Sequence, residues 1–209
     1  MRKLALGRSI LFRLISALCV FLWSGIVAAD CGINRDILGA SYRIEQQSAA
    51  GGEPRVESLI LWRMHSEVAH ERPEHGYTDI WRNLGVGDIE RRRISDRRRR
   101  LIVSETVADA GWSSKYQLLS RDALNKMTRM GTSGEACQRV EKYQTELASG
   151  VLTVWWNPSL QLVLLLQRES AGSSTTMKLI GIEAAGPVVA GAFNRRLAYL
   201  PDRLRLLSQ

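Results

Sequence analysis

Residues 150–182 read GVLTVWWNPSLQLVLLLQRESAGSSTTMKLIGI, and this stretch decides the fold. Two runs rich in β-branched, aromatic and aliphatic residues, 150–156 and 160–168, flank the turn formers Asn157 and Pro158. A third run, 175–182, follows a Gly-Ser loop at 171–174. Short runs punctuated this way predict consecutive antiparallel strands. Adjacent Trp155 and Trp156 on one strand must point to opposite sheet faces, one of them into the core. The next strand is apolar on both faces over 162–166 and therefore needs cover on both sides, from helices or from an apolar ligand. Trp155, Trp156, Leu162, Leu164 and Leu166 are the candidate ligand-binding residues on that ground.

The same cadence extends toward the N-terminus. VESLILWRM at 56–64 reads as a strand, followed by strands at 67–71 and 77–82, a Gly-rich loop at 83–88, and strands at 89–94 and 101–106. Two helical stretches interrupt this meander. Ser120 suits an N-cap, Asp122 the first turn and Gly131 the end, with Leu119, Ala123, Met127 and Met130 forming an apolar stripe. The C-terminal segment repeats the pattern with Phe193, Leu197, Leu200, Leu204 and Leu207, flanked by Arg195, Arg196, Arg203 and Arg205 and divided by Pro201. The expected fold is α+β: a curved antiparallel β-sheet, a meander or half-barrel, packed with a few helices.

The N-terminus predicts export. Arg2, Lys3, Arg8 and Arg13 precede an uncharged stretch, 14–29, that ends in Val27-Ala28-Ala29 before Asp30-Cys31. Sixteen apolar residues fall short of the roughly 20 that span a bilayer, so 1–29 reads as a cleaved signal peptide and not an anchor. Asp30 before Cys31 argues against a lipid-modified cysteine. The mature chain, 30–209, is one domain ending in an amphipathic segment. Four of the 29 Lys+Arg leave with the leader, so 25 face 21 Asp+Glu and the mature protein is only mildly basic. Cys19 leaves too. Cys31 and Cys137 are then expected to pair in the oxidising periplasm, closing a loop worth about 4–5 kcal/mol in the chain-entropy model.

Arg91, Arg92 and Arg93, then Arg97, Arg98, Arg99 and Arg100, place seven cations within ten residues around Ser95-Asp96. As a hairpin tip, Arg97 to Arg100 form a candidate anion-binding end for lipid head groups or acidic partners. No nucleic-acid reading motif accompanies them. His65, His70 and His75 recur at five-residue steps with Pro73 between the last two, which excludes a zincin helix and leaves no metal set. Nucleophile elbows, phosphate loops and dinucleotide fingerprints are absent, so the sequence predicts a protein with no cofactor that is not an enzyme.

ESLILWRM, EVAHE, YTDIWRN and IERRRIS, then VLTVWWNPSLQLVLLLQRES and TTMKLIGIE, together resemble the strand cadence of the periplasmic lipoprotein-carrier superfamily, LolA/LolB-like. The likeness covers roughly residues 44–182. It implies an open half-barrel with helices plugging its concave side. It also implies a periplasmic binding role toward a lipid or acylated protein, with peripheral membrane contact. The alternative is a module that docks on another envelope protein through the arginine hairpin and the basic C-terminal segment.

Overall fold

The computed structural model describes residues 32–48, 50–85, 87–108 and 111–201. The strands are β1 (Ile37–Ser48), β2 (Arg55–Met64), β3 (Glu67–Arg72), β4 (Tyr77–Gly85), β5 (Asp88–Ser95), β6 (Arg100–Ala108), β7 (Thr128–Ser133), β8 (Val140–Leu147), β9 (Gly150–Asn157), β10 (Leu162–Ser170) and β11 (Ser173–Glu183). The helices are α1 (Trp112–Gln117), α2 (Arg121–Asn125) and α3 (Gly186–Leu197). All strands join one antiparallel sheet in the order β6-β5-β4-β3-β2-β1-β11-β10-β9-β8-β7. The edges β6 and β7 do not pair, so the curved sheet stays open. This is the half-barrel that the strand cadence predicts.

β1 sits at the centre because it pairs with β2 on one side and with β11 on the other. Its alternation of Leu38, Ala40, Tyr42 and Ile44 buries one face across both neighbours. Those side chains share a cluster with Leu59, Leu61, Val68, Trp81, Ile89, Leu160 and Leu162. Residues as distant in sheet order as Ile89 on β5 and Leu162 on β10 meet only where the sheet curls toward them, which makes this face the concave one. The 111–127 link runs from edge β6 to edge β7 across it. Tyr116 of α1 joins the cluster on β1 to β5, and Leu124 of α2 joins Val154, Trp156 and Val163 on β9 and β10. On the opposite face α3 lays Val189, Phe193 and, beyond its end, Leu200 against Ala69, Ile80 and Ile94.

Two helical expectations change. Ser120 does cap α2, its Oγ accepting from Ala123 N at 3.1 Å, but the helix stops at Asn125. From Thr128 the backbone pairs with β8 instead, and Met130 lies on β7 with 61% exposure. Leu124, not Ala123, is the buried residue of that helix. Cross-strand hydrogen bonding along an otherwise free edge outweighs the helical period there. At the C-terminus Phe193, Leu197 and Leu200 share the apolar stripe as expected. Arg196 is buried beneath it at 1% exposure and is not on a solvated flank. Leu204, Leu207, Arg203 and Arg205 lie outside the described residues, as do the expected signal peptide and Cys31.

Candidate functional site

Several polar contacts that close the concave face converge on one side chain. Arg63 of β2 is fully buried and points into the concavity beside Leu38 and Leu61. Its Nε donates to Tyr116 O at 2.6 Å, Nη1 to Leu160 O at 2.9 Å and Nη2 to Gln161 O at 2.6 Å. Three carbonyls from two separate segments, the 111–127 plug and the β9–β10 turn, are thus fastened to the sheet by one guanidinium. Burial lowers the Arg63 pKa to about 10, which leaves it charged at neutral pH. Among the described residues no carboxylate pairs with it directly. Asp36 is reached through the Tyr116 hydroxyl, which donates to Oδ1 at 2.7 Å, while the Tyr116 ring lies under the guanidinium at 4.6 Å. A side-chain bond from Gln117 to Gln161, 2.7 Å, ties plug and turn to each other.

Local sequence shapes the turn. Asn157 is buried, and its Oδ1 accepts from Leu160 N at 2.9 Å, folding residues 157–160 back over the concavity. Its Nδ2 donates to Cys137 O at 2.7 Å. β10 pairs with β11 only from Leu165 onward, and a bulge between Val163 and Leu165 leaves Leu164 without a partner across the β9 ladder. The first residues of β10 therefore turn away from β11, and Leu162 packs into the concave cluster.

The expected apolar site divides accordingly. Leu162 and Trp156 are buried, and Leu166 packs with Val154 and Val163 under α2. Trp155 points to the outer face, 39% exposed, with Lys142 Nζ 4.8 Å from its ring centroid. The two tryptophans take opposite faces, as adjacent strand residues must, so Trp155 does not line the concavity. Sequence reasoning missed its actual floor, Leu38, Ala40, Leu59, Leu61 and Val68, together with Arg63. The ESLILWRM alternation could have revealed Leu59, Leu61 and Arg63 as sharing one face.

The arginine block divides too. Arg97, Arg98 and Arg99 occupy the β5–β6 turn and Arg100 opens β6, all four exposed and without an ion pair among the described residues. They lie at the opposite end of the sheet order from Trp155 and Trp156. Within β5, strand alternation sends Arg91 and Arg93 to the concave side and Arg92 to the other. Arg93 forms a bidentate pair with Asp79 at 2.8 and 2.7 Å, Arg92 another with Glu90 at 2.7 Å, and Arg91 meets Glu105 at 2.8 Å. The histidines do not converge on a metal. His70 Nε2 faces Lys115 O at 2.8 Å and His75 Nε2 faces Glu57 at 3.1 Å, and no metal-holding cluster occurs among the described residues. Burial pushes the His70 pKa down to about 4, so it is neutral at pH 7.

No family model and no curated protein matches this chain. Among solved structures it is similar to an outer membrane lipoprotein-sorting protein domain from Vibrio parahaemolyticus, at 11% identity over 79% of this chain and 92% of that one, TM-score 0.38. It is also similar to a LolA superfamily protein from Nitrosomonas europaea, at 7% identity over 71% and 86%, TM-score 0.34. MucB, solved in complex with MucA(peri), shows 12% identity over 76% and 56%, TM-score 0.38. The open antiparallel sheet with helices across its concave side is the architecture expected from the strand cadence.

Proposed function

We propose that this protein is an exported, non-enzymatic periplasmic binding protein that takes an apolar chain, of a lipid or of an acylated protein, onto its concave face when residues 111–127 leave it. The observation that carries this reading is Arg63. A continuous apolar floor is covered by a segment whose polar attachments are few: the buried Arg63 to Tyr116 O, His70 to Lys115 O and the Tyr116 hydroxyl to Asp36. α1 and α2, six and five residues long, are too short to be stable alone, so detaching them sacrifices little internal structure. Export through residues 1–29 and a Cys31–Cys137 bridge belong to the same reading.

The test is native mass spectrometry of the protein exported to a bacterial periplasm and purified without detergent. The expected species is cleaved after Ala29, two hydrogens lighter than its dithiol, and carries a lipid-sized adduct. A fluorescent fatty acid should bind the delipidated protein and bind Leu61→Gln at least tenfold more weakly. A clean apo mass together with no fatty-acid uptake sinks the proposal. The unpaired tip of Arg97, Arg98, Arg99 and Arg100 favours a second reading, docking of an acidic envelope protein. It requires a complex that weakens steeply with salt and is lost when the four tip arginines become glutamine.

A further inference from the structure

Among the described residues the sheet ends in two edges without a partner strand, and they differ. At one end β7 is short, and a register shift between Arg129 and Gly131 splits it into runs of two and three paired residues. An interrupted edge carrying a glycine is a poor template for another strand. At the other end β6 pairs with β5 alone. Its own bulge comes early, at Ile102, and from Val103 to Ala108 the register with β5 runs without a shift. Val103, Ser104, Glu105, Thr106 and Val107 are all exposed, and no described strand takes up their outward backbone groups. The sequence does not guard this edge. VSETV is rich in β-branched residues, lacks proline and lysine, and its single charge, Glu105, is already engaged by Arg91 at 2.8 Å. Ile102, 53% exposed, adds an apolar side chain at the bulge. Beside the start of the strand stand Arg98, Arg99 and Arg100, exposed and without a carboxylate among the described residues.

We propose that the outer edge of β6 is a strand-addition site for an extended segment of another protein, one whose acidic end lies beside Arg98, Arg99 and Arg100. A row of unpaired N–H and C=O groups accepts any extended chain, so main-chain hydrogen bonds supply the affinity. Charge supplies the selection. Three guanidinium forks with no carboxylate of their own are satisfied by carboxylates through charge-assisted bonds. β6 already pairs antiparallel with β5. A segment added antiparallel to β6 would run from Val107 toward Arg100 and so carry its carboxylates at its C-terminal end. Its side chains on one face would meet Val103 and Val107, which lie opposite Arg93 and Ile89 and share their side of the sheet. This mode rests on docking of an acidic envelope protein at the β5–β6 turn and adds the surface that gives such docking its affinity. The plug stays in place throughout, since β6 lies at the rim of the sheet.

The test titrates the mature protein into a fluorescein-labelled peptide of alternating Val and Thr that ends in a run of Asp, read by fluorescence anisotropy. In an extended chain, alternate N–H groups point to opposite edges. N-methylating the set that faces β6 should weaken binding at least tenfold, and methylating the complementary set should leave it within about twofold. The protein itself is unchanged in that comparison. Hydrogen exchange in 103–107 should slow when the peptide is added, while β7 stays as it was. Arg98→Gln with Arg99→Gln, exposed changes in the turn, should weaken binding at least tenfold and flatten its salt dependence. No binding, equal effects of the two methylation patterns, or equal protection of β7 overturns the proposal. Loss of binding in the arginine variant without discrimination between the methylated peptides leaves acidic docking at the turn standing and overturns strand addition. Undiminished binding in the arginine variant overturns the acidic partner, and a dimer of the free protein that the peptide disperses does the same by assigning the edge to a second copy.

Discussion

Replacing Arg63 with Met separates the plug's attachment from the stability of the sheet. The substitution keeps an unbranched side chain of comparable reach and deletes the donors to Tyr116 O, Leu160 O and Gln161 O. A hydrogen bond from a charged group contributes about 1.5–3 kcal/mol net. Loss of the one to Tyr116 should therefore raise the local opening equilibrium of the plug roughly ten- to hundredfold. Global stability should move less, because Met also removes the desolvation cost of a buried cation that lacks a paired carboxylate. Hydrogen exchange read by mass spectrometry reports both. Amides in 112–125 should exchange roughly ten- to hundredfold faster, while those of β1 and β2 keep their protection and the urea midpoint shifts by at most about 1 kcal/mol equivalent. Faster uptake of a fluorescent fatty acid should accompany the local change. Unaltered exchange in 112–125 would refute the idea that Arg63 holds the plug. Equal acceleration in β1 and β2 would refute the idea that the plug opens by itself.

Three further outcomes follow from the packing. His70 has a folded pKa of about 4 against an ordinary 6.5, so it is neutral in both states above pH 6.5. As pH falls toward 4 the unfolded chain takes up a proton first, costing at most about 3 kcal/mol of stability. His70→Gln should flatten that slope in urea melts at pH 7 and 4.5. Arg196, 1% exposed, donates to Asp96 at 2.9 Å and pairs with Glu71 at 2.9 Å, so Arg196→Met should cost about 2–4 kcal/mol in urea unfolding, with Trp62 and Arg195 still serving Glu71. Gly39→Val would set its Cβ 2.5 Å from the Trp62 ring, displacing the indole from Glu71 at a cost of about 1–3 kcal/mol, visible in near-ultraviolet circular dichroism.

The sheet was largely legible because its strands carry strong local signals. VESLILWRM and the two runs on either side of Asn157-Pro158 match β2, β9 and β10 to within a residue or two. The central strand β1 escaped because ILGASYRIEQQS mixes Gly, Ser, Arg and Gln with its apolar positions. Its burial follows from neighbours more than a hundred residues away on β11, which no local pattern encodes. Met130 looked helical because its spacing is helical, but an edge partner on β8 was invisible in the sequence. The site was less legible for the same reason. Trp155 and Trp156 had to split between faces, yet which face is concave depends on where residues 111–127 cross. Arg63 is a cation at the end of an apolar run, and its carbonyl partners lie 53, 97 and 98 positions away.

Arginine abundance, 24 against 5 lysines, reads from composition as a surface made for anions. Much of it serves the interior instead. Arg63 fastens the plug, Arg196 fastens α3, and Arg92 and Arg93 close bidentate pairs with Glu90 and Asp79. A planar fork that forms several directed bonds suits such fixed tasks, and an ammonium point charge suits them poorly. The lysines behave differently, since Lys115 and Lys142 hover over Trp81 and Trp155 with no carboxylate among the described residues. Anion recognition should therefore follow the exposed cations that folding leaves without a carboxylate, above all Arg97, Arg98, Arg99 and Arg100 at the β5–β6 turn.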